Sequence, residues 1–253
     1  ALREKYPEVK KITYGFGKTN EFSASNYTLA QSNHTPTGIR FRVNHDGNSI
    51  PIEIFGVVGK QHVYPALTAL AIGHLLNINL LEIGEALSKS KTPPGRMHLL
   101  PGIKETTIID DSYNSSPIAV EEALNVLEHA RVQGKKIAVL GDMLELGRFS
   151  TDEHKRLGKR AAEVCNLLVT VGLRARHFAE GALQGGMNEK NILQYEDAQR
   201  AGKELEQKLD EGDIILIKGS QGVRMERAVE ELMAHPEDNA KLLVRQEEAW
   251  MKR

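Results

Sequence analysis

The chain has 253 residues, and its 33 lysines and arginines against 34 aspartates and glutamates leave a formal net charge of −1. A composition of 40% hydrophobic and 26% charged residues excludes a disordered or collagen-like chain, and the balanced charge argues against a nucleic-acid partner. No apolar run approaches the roughly 18 residues of a membrane-spanning helix, and the lone Cys165 excludes a disulfide framework. We therefore expect one or two domains of a cytoplasmic protein without a membrane partner.

The first part of the sequence has the pattern of β-strands joined by turns. Residues 12–58 are rich in β-branched and aromatic side chains, and short clusters of turn-forming residues interrupt them. We expect one turn at Gly38. A second turn, at Asp46-Gly47, should close a two-stranded hairpin, because Asp-Gly is a preferred pair for such turns.

The pattern changes twice after residue 58. Apolar residues with helical spacing occupy about residues 65–88, and the consecutive prolines within residues 89–95 predict a joint between two domains. From about Thr106 onward, five short apolar segments alternate with amphipathic helical segments. Such alternation predicts an α/β domain with a Rossmann-like, doubly wound sheet of five or six mostly parallel strands.

Three local patterns refine the α/β region. Ser116 followed by Pro117 predicts a capped helix start. Ser150, with Glu153 three residues further on, predicts a capping box at the start of the next helix. The polar tail, residues 235–253, is expected to form a solvated helix without a function.

Three polar clusters follow strands of the predicted sheet. Residues 110–117 combine two carboxylates, a phenol and an amide before a helix, and residues 141–147 are again acidic. Residues 218–222 place a lysine and glycines before a helix, which suits an anion because a helix N-terminus presents unpaired N–H groups. Ligands of open α/β sheets bind at the carboxyl ends of the strands. These clusters are therefore the candidate site, although helix capping and turn formation alone would also account for each of them.

Other motifs are excluded or undecided. Residues 15–19 resemble the end of a phosphate-binding loop, but Ile12 stands where that motif needs glycine and a strand pattern follows. The absence of Gly-x-Gly-x-x-Gly after the first strand of the α/β region excludes a nicotinamide dehydrogenase. The nine histidines show no metal-ligand spacing, so no metal site is expected. His154 could lie on a helix face or in a site, and spacing does not decide between them.

Four motifs in order resemble those of the Mur ligases, the ATP-dependent amide ligases of peptidoglycan precursor synthesis. Their co-occurrence in this order carries the resemblance, since any one of them alone would be unspecific. The motifs are TPPGRM at 92–97, DDSYNSSP at 110–117, GDMLELG at 141–147, and KGS at 218–220 followed by RME at 224–226.

The resemblance implies a larger enzyme of which this chain is the C-terminal part. Residues 59–62 resemble the end of the family's central ATPase domain, and the chain from about residue 95 resembles its C-terminal, Rossmann-like domain. The implied domains are therefore 1–92 and 93–253. The family's phosphate-binding loop, its metal ligands and its uridine-nucleotide domain would all lie upstream of this chain.

The resemblance also implies a reaction and a site. Members use ATP and Mg²⁺ to convert a substrate carboxylate into an acyl phosphate, which an amine then attacks to form an amide. The implied branch adds D-alanyl-D-alanine to a UDP-N-acetylmuramoyl-peptide, because the sequence has no Asp-Asn-Pro-Arg motif for a diamino acid. The implied catalytic residues are Arg96 and Asp111. The implied nucleotide-binding residues are Arg96, Asp111, Tyr113, Asn114 and His62, and the implied substrate-binding residues are Lys218, Ser220, Asp142, Glu145 and His154.

Two other interpretations stay open: another Mur-type amino-acid ligase, and a non-catalytic binding module of the same fold. The joint presence of Arg96, Asp111 and Lys218 favours an enzyme over a binding module. We expect a monomer. We also expect the chain by itself to be inactive, because the elements that would hold ATP and its metal are not among these residues.

Overall fold

The computed structural model describes residues 8–9 and 11–251. The first residues of the predicted 1–92 domain and the last two of the predicted tail lie outside this part of the chain. No helix within the described ranges is long and apolar enough to cross a membrane.

The chain divides into two compact units, and the division at 91–92 falls within the joint predicted at 89–95. The first unit comprises Ala1–Ala30, Gly38–Phe55 and Lys60–Lys91, and the second comprises Gln31–Thr37, Gly56–Gly59 and Thr92–Arg253.

A four-stranded sheet, in the order β1-β2-β3-β4, opens the chain. The hairpin predicted at Asp46-Gly47 is confirmed, because His45 pairs with Asn48 across two residues of positive φ. The turn predicted at Gly38 is wrong: this glycine lies inside β3, where a Cβ would come within 2.1 Å of the Ile54 carbonyl oxygen. The strands are β1 (Tyr14–Gly15), β2 (Phe22–Ser32), β3 (Thr35–His45) and β4 (Asn48–Phe55).

The apolar stretch predicted at 65–88 forms two helices, α1 (Val63–Leu75) and α2 (Leu80–Ser88). Asn79 separates them and caps α2, since its side-chain oxygen accepts a hydrogen bond from the Leu81 N–H at 2.9 Å. Helix α1 buries one apolar side of its surface, whereas no residue of α2 is fully buried. The buried apolar residues of α1 are Val63, Ala66, Leu67, Leu70 and Ala71.

The second unit contains a six-stranded sheet in the order β5-β6-β10-β7-β8-β9. Strand β5 is antiparallel to β6, and the other neighbours are parallel, which confirms the predicted α/β fold. Every residue of β8 and β10 is buried, as expected for a parallel sheet covered on both faces. The strands are β5 (His98–Pro101), β6 (Thr107–Asp111), β7 (Lys136–Gly141), β8 (Leu167–Val171), β9 (Ile192–Tyr195) and β10 (Ile214–Lys218).

Five helices connect or follow these strands. The predicted cap at Ser116 is confirmed, because its hydroxyl accepts a hydrogen bond from the Ala119 N–H. The capping box predicted at Ser150 is wrong: a 3₁₀ turn, Gly147–Phe149, runs directly into the helix, so Ser150 is already helical and its hydroxyl caps nothing. The helices are α3 (Pro117–His129), α4 (Ser150–Val164), α5 (Arg176–Gln184), α6 (Ala198–Glu206) and α7 (Glu226–Leu232).

The tail is not the solvated helix that its composition suggested. It contains two single-turn helices, α8 (Asn239–Leu242) and α9 (Glu248–Met251), with an irregular stretch of bends between them. Leu243 and Arg245 within this stretch are buried. The tail is therefore a packed part of the second unit.

Candidate functional site

Strand β10 brings the three polar clusters together. It lies between β6 and β7, so that Lys218 at its end stands opposite Asp111 on one neighbour and Leu140 on the other. The segments that follow these three strands leave the same edge of the sheet side by side. This is the carboxyl edge at which open α/β sheets bind their ligands.

A buried ion pair joins the first and third clusters. The Lys218 ammonium lies 2.5 Å from Oδ2 of Asp111 and donates a second hydrogen bond to the Asn114 carbonyl oxygen at 2.9 Å. Oδ1 of Asp111 accepts the Met97 N–H at 3.2 Å. Lys218 is only 2% exposed, and this pairing offsets the cost of burying its ammonium away from water. Asp111, which is predicted to bind the nucleotide, and Lys218, which is predicted to bind the substrate, thus form one ion pair.

The neighbouring carboxyl, Asp110, is fully buried. Its Oδ1 accepts the Ser112 N–H at 3.1 Å, while Oδ2 has no hydrogen-bond partner among the residues that the structure describes. Burial, reinforced by the nearby Asp111 and Glu226 carboxylates, raises the pKa of Asp110 to about 6. The end of β6 therefore holds one carboxyl with a raised pKa and one that is ion-paired.

Arg96 and Tyr113 lie together at the surface beside this pair. The Arg96 guanidinium lies 4.1 Å from the centre of the Tyr113 ring, a cation–π contact. The backbone N–H of Tyr113 donates to the Gly95 carbonyl oxygen at 3.0 Å, which fixes the two segments relative to each other. Asn114 is exposed next to Tyr113. Four of the predicted nucleotide-binding residues, including Asp111, are thus neighbours in space.

His154 supports the segment after β7. Its Nε2 accepts the Met143 N–H at 3.0 Å, and its Nδ1–H donates to the Ser150 carbonyl oxygen at 2.6 Å. The ring is fully buried beside Phe178, and burial lowers its pKa, so the neutral form that these contacts require is favoured. The predicted direct contact of His154 with a substrate is therefore corrected to a positioning role.

Asp142 has a similar structural role. Its Oδ1 accepts the Ala175 N–H at 2.6 Å, and its Oδ2 lies 3.8 Å from a guanidinium nitrogen of Arg174. Its backbone carbonyl oxygen accepts the Ser220 N–H at 2.9 Å. These contacts tie the segments after β7, β8 and β10 to one another, and the Asp142 side chain does not line the cavity described next.

A cavity of about 480 Å³ opens beside these segments. The Ser220 hydroxyl accepts the Leu144 N–H at 2.8 Å and so holds the rim where two of the clusters meet. Glu145 is exposed and adopts a left-handed backbone conformation, with φ of 65°. Of the predicted substrate-binding residues, Ser220 and Glu145 line the cavity. The polar and aromatic lining consists of Asn114, Ser115, Glu145, Ser220, Gln221, Arg224 and Trp250.

Sequence reasoning missed the contribution of the tail. Arg245 is 6% exposed and donates to the Ser112 carbonyl oxygen at 3.2 Å, to the Tyr113 carbonyl oxygen, and to Oε2 of Glu226 at 2.8 Å. This arginine holds the tail against the segment after β6, and Trp250 then reaches the cavity. Two sequence features could have indicated that the tail packs against the domain: its single tryptophan and the apolar pair Leu242-Leu243 in an otherwise polar segment.

His62 belongs to a different unit from the other predicted site residues. It belongs to the first unit, at the end of the short 3₁₀ helix Lys60–His62, and is 8% exposed. The remaining nine predicted residues all belong to the second unit. No cluster of three or more metal-ligating side chains occurs within residues 8–9 and 11–251.

Comparison with known proteins shows which family this chain resembles. Residues 95–221 match the family described as Mur ligase, glutamate ligase domain. UDP-N-acetylmuramoyl-tripeptide–D-alanyl-D-alanine ligase of Bacillus subtilis is 30% identical over 225 residues, which are 88% of this chain and 47% of that protein. The Escherichia coli protein of the same name is 26% identical over 211 residues, 82% of this chain and 44% of its own length. The chain thus spans about half the length of these relatives.

Solved structures show the same similarity. MurF from Acinetobacter baumannii superposes with a TM-score of 0.75 and 26% identity over 90% of this chain and 48% of its own. MurF from Thermotoga maritima, solved in complex with ADP, superposes with a TM-score of 0.70 over 91% of this chain and 50% of its own. At 23% identity, the second similarity supports the fold alone.

Proposed function

The chain belongs to the Mur ligase family, and we propose that it forms the C-terminal part of an ATP-dependent ligase that adds D-alanyl-D-alanine to a UDP-N-acetylmuramoyl-tripeptide. The observation that carries this proposal is the match of 88% of the chain to a relative of that name. We assign residues 1–92 to the end of the central ATPase domain and residues 93–253 to the C-terminal domain. We further propose that the enzyme is monomeric and cytoplasmic and binds no nucleic acid.

In such a ligase, ATP converts a carboxylate to an acyl phosphate, and an incoming amine displaces phosphate to form the amide. Both steps develop negative charge on phosphoryl oxygens, so positioned cations and N–H donors provide most of the stabilisation. Arg96 is an exposed cation near this edge and would contact the phosphoryl oxygens. Asp111 would act with Lys218, because their ion pair sets the position of the Asn114 backbone and of the segment that carries Arg96.

The residues of the second unit fit part of a nucleotide. Tyr113 is 44% exposed and offers a ring for stacking, and the exposed Asn114 amide offers a donor and an acceptor for a ribose or base. His62 of the first unit stays a further candidate for the base. Mg²⁺ would accompany ATP, but the described residues contain no cluster that fits it, so we assign the metal to no residue of this chain.

The proposal is tested with the full-length ligase by measuring phosphate release from ATP in the presence of the uridine-linked tripeptide and D-alanyl-D-alanine. Release should require both substrates. Arg96→Ala should lower kcat on the order of 10²-fold and leave the KM for D-alanyl-D-alanine nearly unchanged, since this charge acts on the phosphoryl group. Arg200→Ala, at an exposed helical arginine paired with Glu204, is the matched control and should keep the wild-type kcat.

Three outcomes would contradict the proposal. Turnover with a single amino acid in place of the dipeptide would favour another Mur-type amino-acid ligase. Substrate binding without any turnover would favour a non-catalytic binding module. An unchanged kcat for Arg96→Ala would remove Arg96 from the catalytic residues.

A further inference from the structure

The wall of the cavity formed by Arg224 and Trp250 has no assigned role. Arg224 adopts a left-handed backbone conformation, with φ of 60°, which is uncommon for a residue other than glycine. Its Nε–H donates to Oε1 of Glu226 at 2.5 Å, and its Nη1 donates to the Trp250 carbonyl oxygen at 2.8 Å. The guanidinium carbon lies 5.5 Å from the centre of the Trp250 ring. The side chain is thus held in one orientation at the cavity wall.

This guanidinium has hydrogen-bonding capacity left. Its Nη2 donors have no acceptor within the described part of the chain, although the side chain is only 11% exposed. Glu226 contacts Arg224 through one oxygen, and its second oxygen binds Arg245 at 2.8 Å. Two arginines share one carboxylate, so this group carries a net positive charge. A planar guanidinium with unused donors is well suited to bind a carboxylate.

Lys218, one of the predicted substrate-binding residues, is less suited to bind a substrate carboxylate. Its ammonium is 2% exposed and already binds Asp111 and the Asn114 carbonyl oxygen. It does not line the cavity, whereas Arg224 does. A ligand in the cavity would therefore meet the Arg224 charge first.

The remaining lining fits the other parts of a short peptide. Glu145 lines the same cavity, is exposed, and has no ion-pair or hydrogen-bond partner for its carboxylate among the described residues. Leu144 and the Trp250 ring supply apolar surface. A cavity with one cation, one anion and apolar walls is complementary to a small zwitterion with methyl side chains.

We propose that Arg224 binds the C-terminal carboxylate of the incoming dipeptide and that Trp250, held in place by the tail, contacts its terminal side chain. This inference rests on the proposed function and adds its carboxylate-binding residue. Arg245 is a positioning residue here, because it anchors the tail that carries Trp250 to the segment after β6.

The test compares KM values for D-alanyl-D-alanine and for ATP in the full-length ligase. Arg224→Gln should raise the KM for the dipeptide about tenfold or more, because a charge-assisted pair is lost, and leave the KM for ATP unchanged. Trp250→Ala should raise the same KM by a smaller factor. Arg227→Gln, three residues away on α7 and outside the cavity lining, is the matched control and should behave as wild type.

A second substrate separates binding from folding defects. The C-terminal amide of the dipeptide should have a much higher KM than the acid with wild-type enzyme, whereas Arg224→Gln should barely distinguish the two. Arg224→Lys should recover part of the preference for the acid. A wild-type KM in Arg224→Gln, or an undiminished preference for the acid in that variant, would overturn the inference.

A wrong proposed function would give a different experimental result from a wrong inference about Arg224. If the wild-type enzyme turned over no dipeptide, the function would be wrong, and NMR titration of the wild-type and Arg224→Gln proteins with D-alanyl-D-alanine and its amide would still test the binding role. Acid-selective binding that depends on Arg224 would support the inference. Binding of acid and amide with equal affinity to both proteins would overturn it.

Discussion

The two units of this chain bury their apolar residues to different degrees. In the second unit, helices cover both faces of the sheet, and every residue of β8 and β10 is buried. In the first unit, α2 has no fully buried residue, and large apolar side chains of both helices and of the turn between them are exposed. The sheet of the second unit is thus covered on both faces, whereas the helices of the first unit leave apolar surface uncovered. The exposed residues are Tyr64, Ile72, Leu75, Leu76, Ile78 and Leu81.

The largest expected effect comes from equal truncations in the two units. Leu216→Ala, in the middle of the fully buried β10, should lower the free energy of unfolding of the second unit by about 3–4 kcal/mol, because it leaves a cavity. Leu81→Ala, at a side chain that is 63% exposed, should change stability by less than about 0.5 kcal/mol. Urea titration followed by circular dichroism measures both. Equal losses would show that the burial contrast does not govern stability.

Asp110 should make the second unit sensitive to pH. Its pKa is about 6 in the folded state against 3.8 without burial, so the native carboxyl keeps its proton where the unfolded one has lost it. Stability should therefore fall as the pH rises from about 4 to 6, by about 3 kcal/mol in total, and stay low above that range.

Asp110→Asn removes this titration. As the pH rises from 4 to 6.5, the free energy of unfolding of the wild type should fall relative to that of Asp110→Asn. Above pH 6.5, the difference between the two proteins should be constant. Urea titrations of both proteins across this range measure the difference. A difference independent of pH would mean that Asp110 titrates normally in the folded protein.

The smallest effect is expected from the two helix caps. Asn79→Ala and Ser116→Ala each remove one side-chain acceptor from a helix N-terminus, at a cost of about 1 kcal/mol. In α2, which has no fully buried residue, the loss should appear as faster amide exchange of that helix alone. In α3, buried residues such as Leu124 hold the helix in place, so the loss should appear in global unfolding.

Ser150→Ala is the control for the cap variants, because the Ser150 hydroxyl has no hydrogen-bond partner in the described structure. It should change stability by no more than a few tenths of a kcal/mol. Hydrogen exchange followed by mass spectrometry resolves the helices separately. Uniform exchange changes across both units after Asn79→Ala would contradict the local response expected for α2.

Much of the fold followed from local sequence patterns. The alternation of apolar and amphipathic segments after Thr106 predicted the α/β sheet, Asp46-Gly47 predicted the hairpin, and Ser116-Pro117 predicted a helix start. These features depend on residues close together in the chain, and their backbone preferences act over a few positions. The family motifs are equally local, and they predicted the polar edge of the sheet.

The tertiary structure alone decided which of these residues meet. Insertion of β10 between β6 and β7 pairs Lys218 with Asp111, although 107 positions separate them in the chain. The tail likewise places Arg245 and Trp250 at the site, and strand pairing makes Gly38 a point of close approach instead of a turn. Periodicity records which side of an element is apolar, but it does not record which distant element covers that side. That choice depends on the packing of the whole unit, so the sequence determined the elements and the chemistry of the edge, and tertiary packing determined the site.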